Sequence, residues 1–366
     1  MAAFCEVHKA HFTRVQKRGF VWQVCRLCEH PFLKRETRLA AMMLSRVADS
    51  MFWMSRYVER AENIARFVDV NLNLTLDLGR ALEQQWGPLV AVTGDQDEFE
   101  SRYTVYGRES VMNFLSFDDT YSNSIISCIS RARENARTIR ENISSAMWEE
   151  INRFHLMLLD AARSRQHSEN PHDFYTQVRR QSQLFNGVTD GTLSHGEAWH
   201  FANMGRLMER ADKTSRILDV RYFLLLPQVE DVGTPVDIVQ WSALLRSATA
   251  LDMYRTKYGR LAPKKVAEFL LLDPEFPRSV RYCISGAEQS LHVITGSPPH
   301  IARTSAERRF GRLRAEIEFA SVEDIFKGGL HEFIDHLQTR LNEAGEALHE
   351  SLFNPQTPGL ADGHIM

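Results

Sequence analysis

Long apolar runs are missing from this 366-residue chain. A membrane-spanning helix needs about 18 or more consecutive apolar residues, and the longest runs, such as Tyr222 to Leu226, stop far short. The N-terminus mixes Cys, His, Lys and Phe without a continuous apolar stretch, so it does not read as a secretory signal. Excess charge of one sign is missing too. Lys and Arg number 44 against 47 Asp and Glu, net −3, which leaves no basic field to attract nucleic acid. Cysteines are few and odd in number, five at uneven spacing, which argues against a disulfide framework and for a reducing cytoplasm. No G-x-x-x-x-G-K-[ST], G-x-G-x-x-G or G-x-S-x-G stretch occurs, so no nucleotide cofactor site or nucleophile elbow is expected. Alternating apolar–polar strand patterns are scarce.

What is present is helical periodicity. The chain is 43% hydrophobic and 25% charged, as suits one large or two medium folded domains. Leu44, Val47, Met51, Met54, Val58, Ala61, Ile64 and Phe67 recur at three- and four-residue steps. The same holds for Ser124 to Ile151, His195 to Leu225, Val236 to Met253, Ser305 to Phe319 and Val322 to Leu352. Gly- and Pro-containing breaks lie between them. An all-α bundle of about ten helices is expected.

The sequence also repeats itself. At a shift of 150, Met54 to Val70 lies on Met204 to Val220 with eight of seventeen positions identical. Unrelated sequences of ordinary composition would share roughly one. At a shift of 155, Val111 to Ser130 lies on Val266 to Ser285 with eight of twenty identical. Gln85-Trp86 on Gln240-Trp241 and Tyr106-Gly107-Arg108 on Tyr258-Gly259-Arg260 keep the same order. Duplication of one helical unit is expected, with copies over 43–192 and 193–353. Residues 354–366, rich in Pro and Gly, read as a flexible tail. Residues 1–42 have no counterpart and read as an N-terminal extension, with Met43 as an alternative native start.

Each copy carries a Glu-Arg pair in an otherwise apolar helix. Arg56, Glu59, Arg60, Asn63 and Phe67 fall along one helix side, and Glu62, Arg66 and Asp69 follow at three- and four-residue steps. Arg206, Glu209, Arg210, Asp212, Arg216 and Asp219 repeat the pattern. Two main readings follow. The charges form a buried ion-pair girdle that fixes helix packing, or the arginines line a pocket between the copies and hold a carboxylate or phosphate bidentately. Acid–base work by these carboxylates is disfavoured, because a neighbouring Arg lowers a carboxyl pKa. A further polar helix offers Arg133, Glu134, Asn135 and Arg137, which copy two does not match. Its plainer reading is a solvated face, with Trp148 to Asn152 docking the helix.

Metal sites have little support. Cys5, His8, Cys25 and Cys28 have ligand types and spacing compatible with a zinc ribbon, but they lie in the extension. Glu197/His200 and Glu346/His349 match the Glu-x-x-His pair of di-iron bundles, yet the two pairs do not correspond under the repeat.

The opening Met43-Leu-Ser-Arg-Val-Ala-Asp-Ser-Met-Phe-Trp-Met-Ser-Arg-Tyr-Val-Glu59-Arg60-Ala-Glu-Asn-Ile-Ala-Arg66 resembles that of the bacterial alpha-E proteins, a helical family named for its Glu-Arg motif. The resemblance continues through Ala132 to Arg137, Trp148 to Asn152, Gly205 to Asp212, Phe276 to Val280 and Gly329 to His331, and so spans about residues 43 to 353. The motif residues carry over to Glu59, Arg60, Glu209 and Arg210. The resemblance implies an all-α protein that accompanies, or is fused to, an ATP-grasp-type ligase and often a transglutaminase-like protein. Its implied setting is ATP-dependent peptide or amide-bond synthesis and tailoring. The expected role is an accessory subunit that binds the ligase or a carboxylate-bearing substrate. The rivals are an enzyme with a Glu/Arg site between the copies and a purely structural scaffold. Homo-oligomerisation is left open.

Overall fold

A computed structural model describes residues 12–17, 20–25, 43, 45–78, 86–164, 169–224, 235–299 and 301–353. The chain divides into two compact units, Met1–Leu44 and Ser45–Met366. In the first, β1 (Phe12–Lys17) pairs antiparallel with β2 (Phe20–Cys25), with Phe12 opposite Cys25 and Lys17 opposite Phe20. This hairpin departs from the all-α expectation. Its cause is local: Val15, Val21, Trp22 and Val24 favour strand, and only two residues, ending in Gly19, separate the runs. Of the zinc candidates, Cys25 closes β2, while Cys5, His8 and Cys28 lie outside the described residues.

The second unit is all-α. Its helices are α1 (Ser45–Leu78), α2 (Gly87–Thr93), α3 (Gln96–Glu100), α4 (Arg108–Ser116), α5 (Ile125–Thr138), α6 (Ser145–Ser164), α7 (Pro171–Thr192) and α8 (Glu197–Leu224). These are followed by α9 (Pro235–Ser247), α10 (Leu251–Tyr258), α11 (Pro263–Leu272), α12 (Val280–Thr295), α13 (Ser305–Glu318), α14 (Val322–Gly328) and α15 (Leu330–Leu348). Among the described residues, no helix is long and apolar enough to cross a membrane.

Fifteen helices stand among the described residues against about ten expected, and three of the additional ones arise where a periodic stretch is interrupted. Ser124 to Ile151 breaks after Thr138 and restarts where the Ser144 hydroxyl accepts from the Met147 backbone N–H, an N-cap. Val236 to Met253 breaks at Thr249, whose φ is 52°. Val322 to Leu352 breaks at Gly329, φ 98°. Apolar periodicity survives such breaks because the flanking helices still face one core.

α1 and α8 pack against each other at the centre. Helix α1 runs 34 residues without Gly or Pro. Met51, Met54, Val58, Ala61, Ile64, Ala65 and Val68 are all fully enclosed, so the helix is covered on nearly every side. α5 and α7 flank α1, and α6 packs on both. α12 and α15 flank α8, and α13 packs on both. Val92 of α2 packs with Phe67 of α1 and Ile217 of α8, so α2 seals one end of the central pair.

The two central backbones come very close at Gly205. A Cβ there would lie 2.2 Å from the Phe52 carbonyl oxygen, so only glycine fits. Gly205→Ala is expected to cost about 1–3 kcal/mol through overpacking against backbone, read by urea denaturation. Gly187→Ala on α7, where an added Cβ meets nothing within 4 Å, is expected to be neutral or to stabilise by up to about 1 kcal/mol.

Candidate functional site

Glu59 and Glu209 sit at the α1–α8 contact, both 0% exposed. Each is held by the arginine that follows the other in sequence. Arg60 Nε donates to Glu209 Oε1 at 2.6 Å and Arg60 Nη2 to Oε2 at 2.9 Å. Arg210 Nε and Nη2 donate to Glu59 Oε1 and Oε2, each at 2.9 Å. Neighbouring residues on a helix point about 100° apart, so each Glu lies in the interface while its Arg reaches around to the partner helix. Both forks are bidentate and charge-assisted.

More donors complete each carboxylate. Arg56 Nε donates to Glu209 Oε2 at 2.9 Å, and Lys213 Nζ stands 3.9 Å from Oε1. Arg278 Nη1 donates to Glu59 Oε1 at 2.9 Å, and Asn63 Nδ2 at 3.3 Å. Burial alone would raise both carboxyl pKa values, but the arginines overcome it and hold both well below the usual range. Burial would also lower Arg60 and Arg210, yet their carboxylate partners hold both above the ordinary arginine value.

A second layer of charge surrounds the first. Glu62 pairs with Arg66 and accepts from Arg278 Nη2 at 2.8 Å. Burial, with Arg278 nearby, lowers Arg66 to about 9, so it remains a cation at neutral pH. Asp212 takes Lys213 at 3.0 Å and Arg216 at 2.9 Å. Asp69 does not pair with Arg66 as spacing alone allows. It takes Arg179 at 3.0 Å and His172 at 2.6 Å, both on α7. Asp219 likewise takes His331 of α15, at 2.8 Å.

Two loops of the same construction close over the arginines. Asp118 Oδ1 accepts from the Thr120 and Tyr121 N–H groups at 3.0 and 3.2 Å, and Ser124 caps α5. Asp273 Oδ1 accepts from Glu275 and Phe276 N–H, both at 2.8 Å, and Ser279 caps α12. The residue before each cap enters the network. Asn123 Oδ1 accepts from Arg60 Nη1, and its amide donates to Asp95 Oδ2 at 3.1 Å. Arg278 reaches Glu59, Glu62 and Asn63.

A cleft of about 470 Å³ opens at the Glu209 end. Arg56, Arg60, Lys213 and Arg216 line it with Asp212, Glu346 and His349, and Phe52, Trp53 and Phe353 form an apolar wall. Arg56 lies 4.8 Å from the Trp53 ring centre. Of the residues singled out in the sequence, Arg56, Arg60, Asp212, Arg216, Glu346 and His349 line the cleft. Glu59, Glu209, Arg66, Arg206 and Arg210 belong to the buried ion-pair layers or their edge. Arg133, Glu134, Asn135 and Arg137 are not drawn into this network. Arg133 Nε donates to Asn152 Oδ1 at 2.7 Å beside the Trp148 ring, while Glu134 and Arg137 form an exposed pair. Among the described residues, no group of three or more His, Cys, Asp or Glu is placed to hold a metal. Sequence reasoning missed Asn123, Lys213 and Arg278. Arg278 stood inside a recognised motif, but its partner Glu59 lies 219 residues away in sequence.

The depressed carboxyls make the fold acid-sensitive. Their stabilisation is fully present above the unfolded carboxyl pKa of about 4.3 and is lost as pH falls through the lower folded values. The melting temperature is expected to fall steeply below about pH 4, and Glu209→Gln is expected to flatten that dependence while lowering stability at pH 7. Arg60→Lys and Arg210→Lys keep the charge but lose the fork. Each is expected to cost about 1–3 kcal/mol in chemical denaturation.

The comparisons with known proteins point to one helical family. A family model, Alpha-E, described as a predicted alpha-helical domain with a conserved ER motif, matches residues 43–353. An uncharacterized protein of Mycobacterium bovis is 22% identical over 338 residues, covering 85% of this chain and 36% of the relative. An uncharacterized protein of Mycobacterium tuberculosis H37Rv is 21% identical over the same length, with the same coverage. The chain thus spans about a third of the length of these curated relatives. No solved structure matches it. With the motif's glutamates and arginines locked across α1 and α8, and the match running through both helices, this chain belongs to the Alpha-E family.

Proposed function

We propose that this protein is an accessory, non-catalytic subunit of an ATP-grasp-associated system for peptide or amide-bond synthesis, and that it binds the ligase partner or a carboxylate-bearing substrate. One observation carries the non-catalytic reading: the motif carboxylates are already saturated. Glu59 and Glu209 are fully enclosed, each with bidentate arginine and further donors. A general acid or base needs a pKa near the working pH and access to substrate, and these groups have neither. The resemblance to alpha-E proteins supplies the ATP-grasp setting and a transglutaminase-like protein as a second partner. The much greater length of the mycobacterial relatives agrees with a unit that works beside other domains. A cytoplasmic location fits such a system.

The same proposal includes an origin by duplication, with copies over 43–192 and 193–353. Three correspondences support it: the crossed Glu-Arg pairs, the matched Asp118 and Asp273 loops, and the Asp69–His172 and Asp219–His331 pairs. The division falls between the end of α7 and the start of α8.

Affinity capture of the full chain from its native lysate, read by mass spectrometry, tests the function. Recovery of an ATP-grasp protein is expected. Recovery of no ligase with folded bait, or ligase or hydrolase turnover by the purified protein alone, would contradict the proposal.

A further inference from the structure

The two ends of the Glu-Arg exchange differ. At the Glu59 end, Arg278 stands between Glu59, Glu62 and Asn63, with bonds of 2.9, 2.8 and 3.1 Å. The positions that match those three in the sequence repeat are Glu209, held by the cleft arginines Arg56 and Arg60, and Asp212 and Lys213, which line the cleft. The position that matches Arg278 is Asn123, which carries no charge. The cation has therefore moved from loop to helix: Arg278 with Asn63 at one end, Asn123 with Lys213 at the other. The outer parts differ as well. Arg206, the counterpart of Arg56, turns to Asn203 at 2.7 Å, and its Nε is buried without a partner. The cavity beside it, lined by Asn186, Asp190, Ala202 and Asn203, holds only about 10 Å³, room for one water. The corresponding cleft at the Glu209 end is about 470 Å³.

We propose that the open cleft is a binding site for a carboxylate monoanion carried beside an aromatic or aliphatic group, as at a peptide C-terminus. Arg216 and Lys213 are its anion donors, and Phe52, Trp53 and Phe353 its apolar wall. Deepening the accessory-subunit reading, the inference also relies on the internal correspondence stated there. Among the described residues Arg216 hydrogen-bonds only through Nε, to Asp212 at 2.9 Å, which leaves its terminal nitrogens uncommitted there, with Nη1 beside Gly94, in the fork geometry that suits a carboxylate. The charges of the cleft set the ligand's charge. Of the four lining cations, Arg56 and Arg60 are spent on the buried Glu209, and Lys213 and Arg216 stand with Asp212 and Glu346, so the cleft with Glu209 carries one positive charge in excess, His349 not counted. That balance accepts a single carboxylate and disfavours a phosphate dianion. The volume lies within the range of about 300–1,000 Å³ common for small-ligand sites.

Calorimetric titration of the purified full chain tests this. The probes are the tripeptide alanyl-alanyl-phenylalanine, its C-terminal amide, and inorganic phosphate. The free peptide is expected to bind saturably, the amide about tenfold or more weakly, and phosphate more weakly than the peptide. Asn123→Arg with Lys213→Asn rebuilds the closed arrangement of the other end and is expected to weaken peptide binding by about tenfold or more, with the melting temperature kept. Arg216→Gln, which touches neither motif glutamate, is expected to weaken binding equally and carries the test if the double variant fails to fold. No saturable peptide binding, equal binding of the amide, tighter binding of phosphate, or full binding by folded Arg216→Gln would each overturn the assignment. Peptide binding without recovery of an ATP-grasp partner leaves the cleft standing and removes the subunit reading; the converse removes only the cleft.

Discussion

Two buried glutamates, each clamped by the arginine of the opposite helix, are the constraint around which this molecule is built. Removing a carboxylate from water costs several kcal/mol, so Glu59 and Glu209 are tolerable only with every oxygen supplied. That requirement ties α1 to α8 in one register. A shift of either helix along its axis by one turn, about 5.4 Å, would leave four charges buried and unpaired. An apolar interface of the same area would stabilise without choosing among registers. The ion pairs choose. Gly205 serves the same end, since only a side chain without Cβ lets α8 approach the Phe52 carbonyl closely enough for both forks to close.

The outer helices follow from the central pair. α7 docks on α1 through Asp69 with His172 and Arg179, and α15 docks on α8 through Asp219 with His331. The capped loops before α5 and α12 bring Asn123 and Arg278 over the arginines. The two loops are built alike, but the surroundings of the two glutamates differ. Where the loop residue is Arg278 the ground above the glutamate is occupied, and where it is Asn123 a cationic cleft with an aromatic wall is left open. The motif residues pair with one another, and on the proposed reading the groups that meet a ligand are the outer ones, chiefly Arg216 and Lys213.

Much of this is legible in the sequence. Periodicity alone located α1 and α8, because a run without Gly or Pro and with apolar residues at three- and four-residue steps has few alternatives. The spacing of Glu62 to Arg66 and of Asp212 to Arg216 correctly announced local pairs. It misled for Arg66 and Asp69, since spacing shows which groups can meet on one helix and is silent about competitors on another. Arg179 and His172 of α7 win Asp69. The crossed partners of Glu59 and Glu209 were open for the same reason, and so was Arg278, whose reach depends on how its loop folds over α1. The polar stretch around Arg133 to Arg137 was legible as a surface. Charges unmatched in the second half leave a site open there, and the plainer reading, a solvated face, is what Arg133 on Asn152 of α6 and the exposed Glu134–Arg137 pair agree with. The hairpin at Phe12 to Cys25 is the part of the described structure that helical periodicity does not reach, and its signal lies in Val15, Val21, Trp22, Val24 and Gly19.

The central claim is that the crossed pairs act across the helix contact and hold it. A double-mutant cycle on Arg60→Ala and Glu209→Ala, measured by urea denaturation, tests it most directly. The account predicts that either single change costs about 3–5 kcal/mol, since each strands a buried charge. It also predicts that the double variant loses much less than the sum, with a coupling of about 2–3 kcal/mol. Additive costs, with a coupling near zero, would show that the two residues do not depend on each other and would contradict the account.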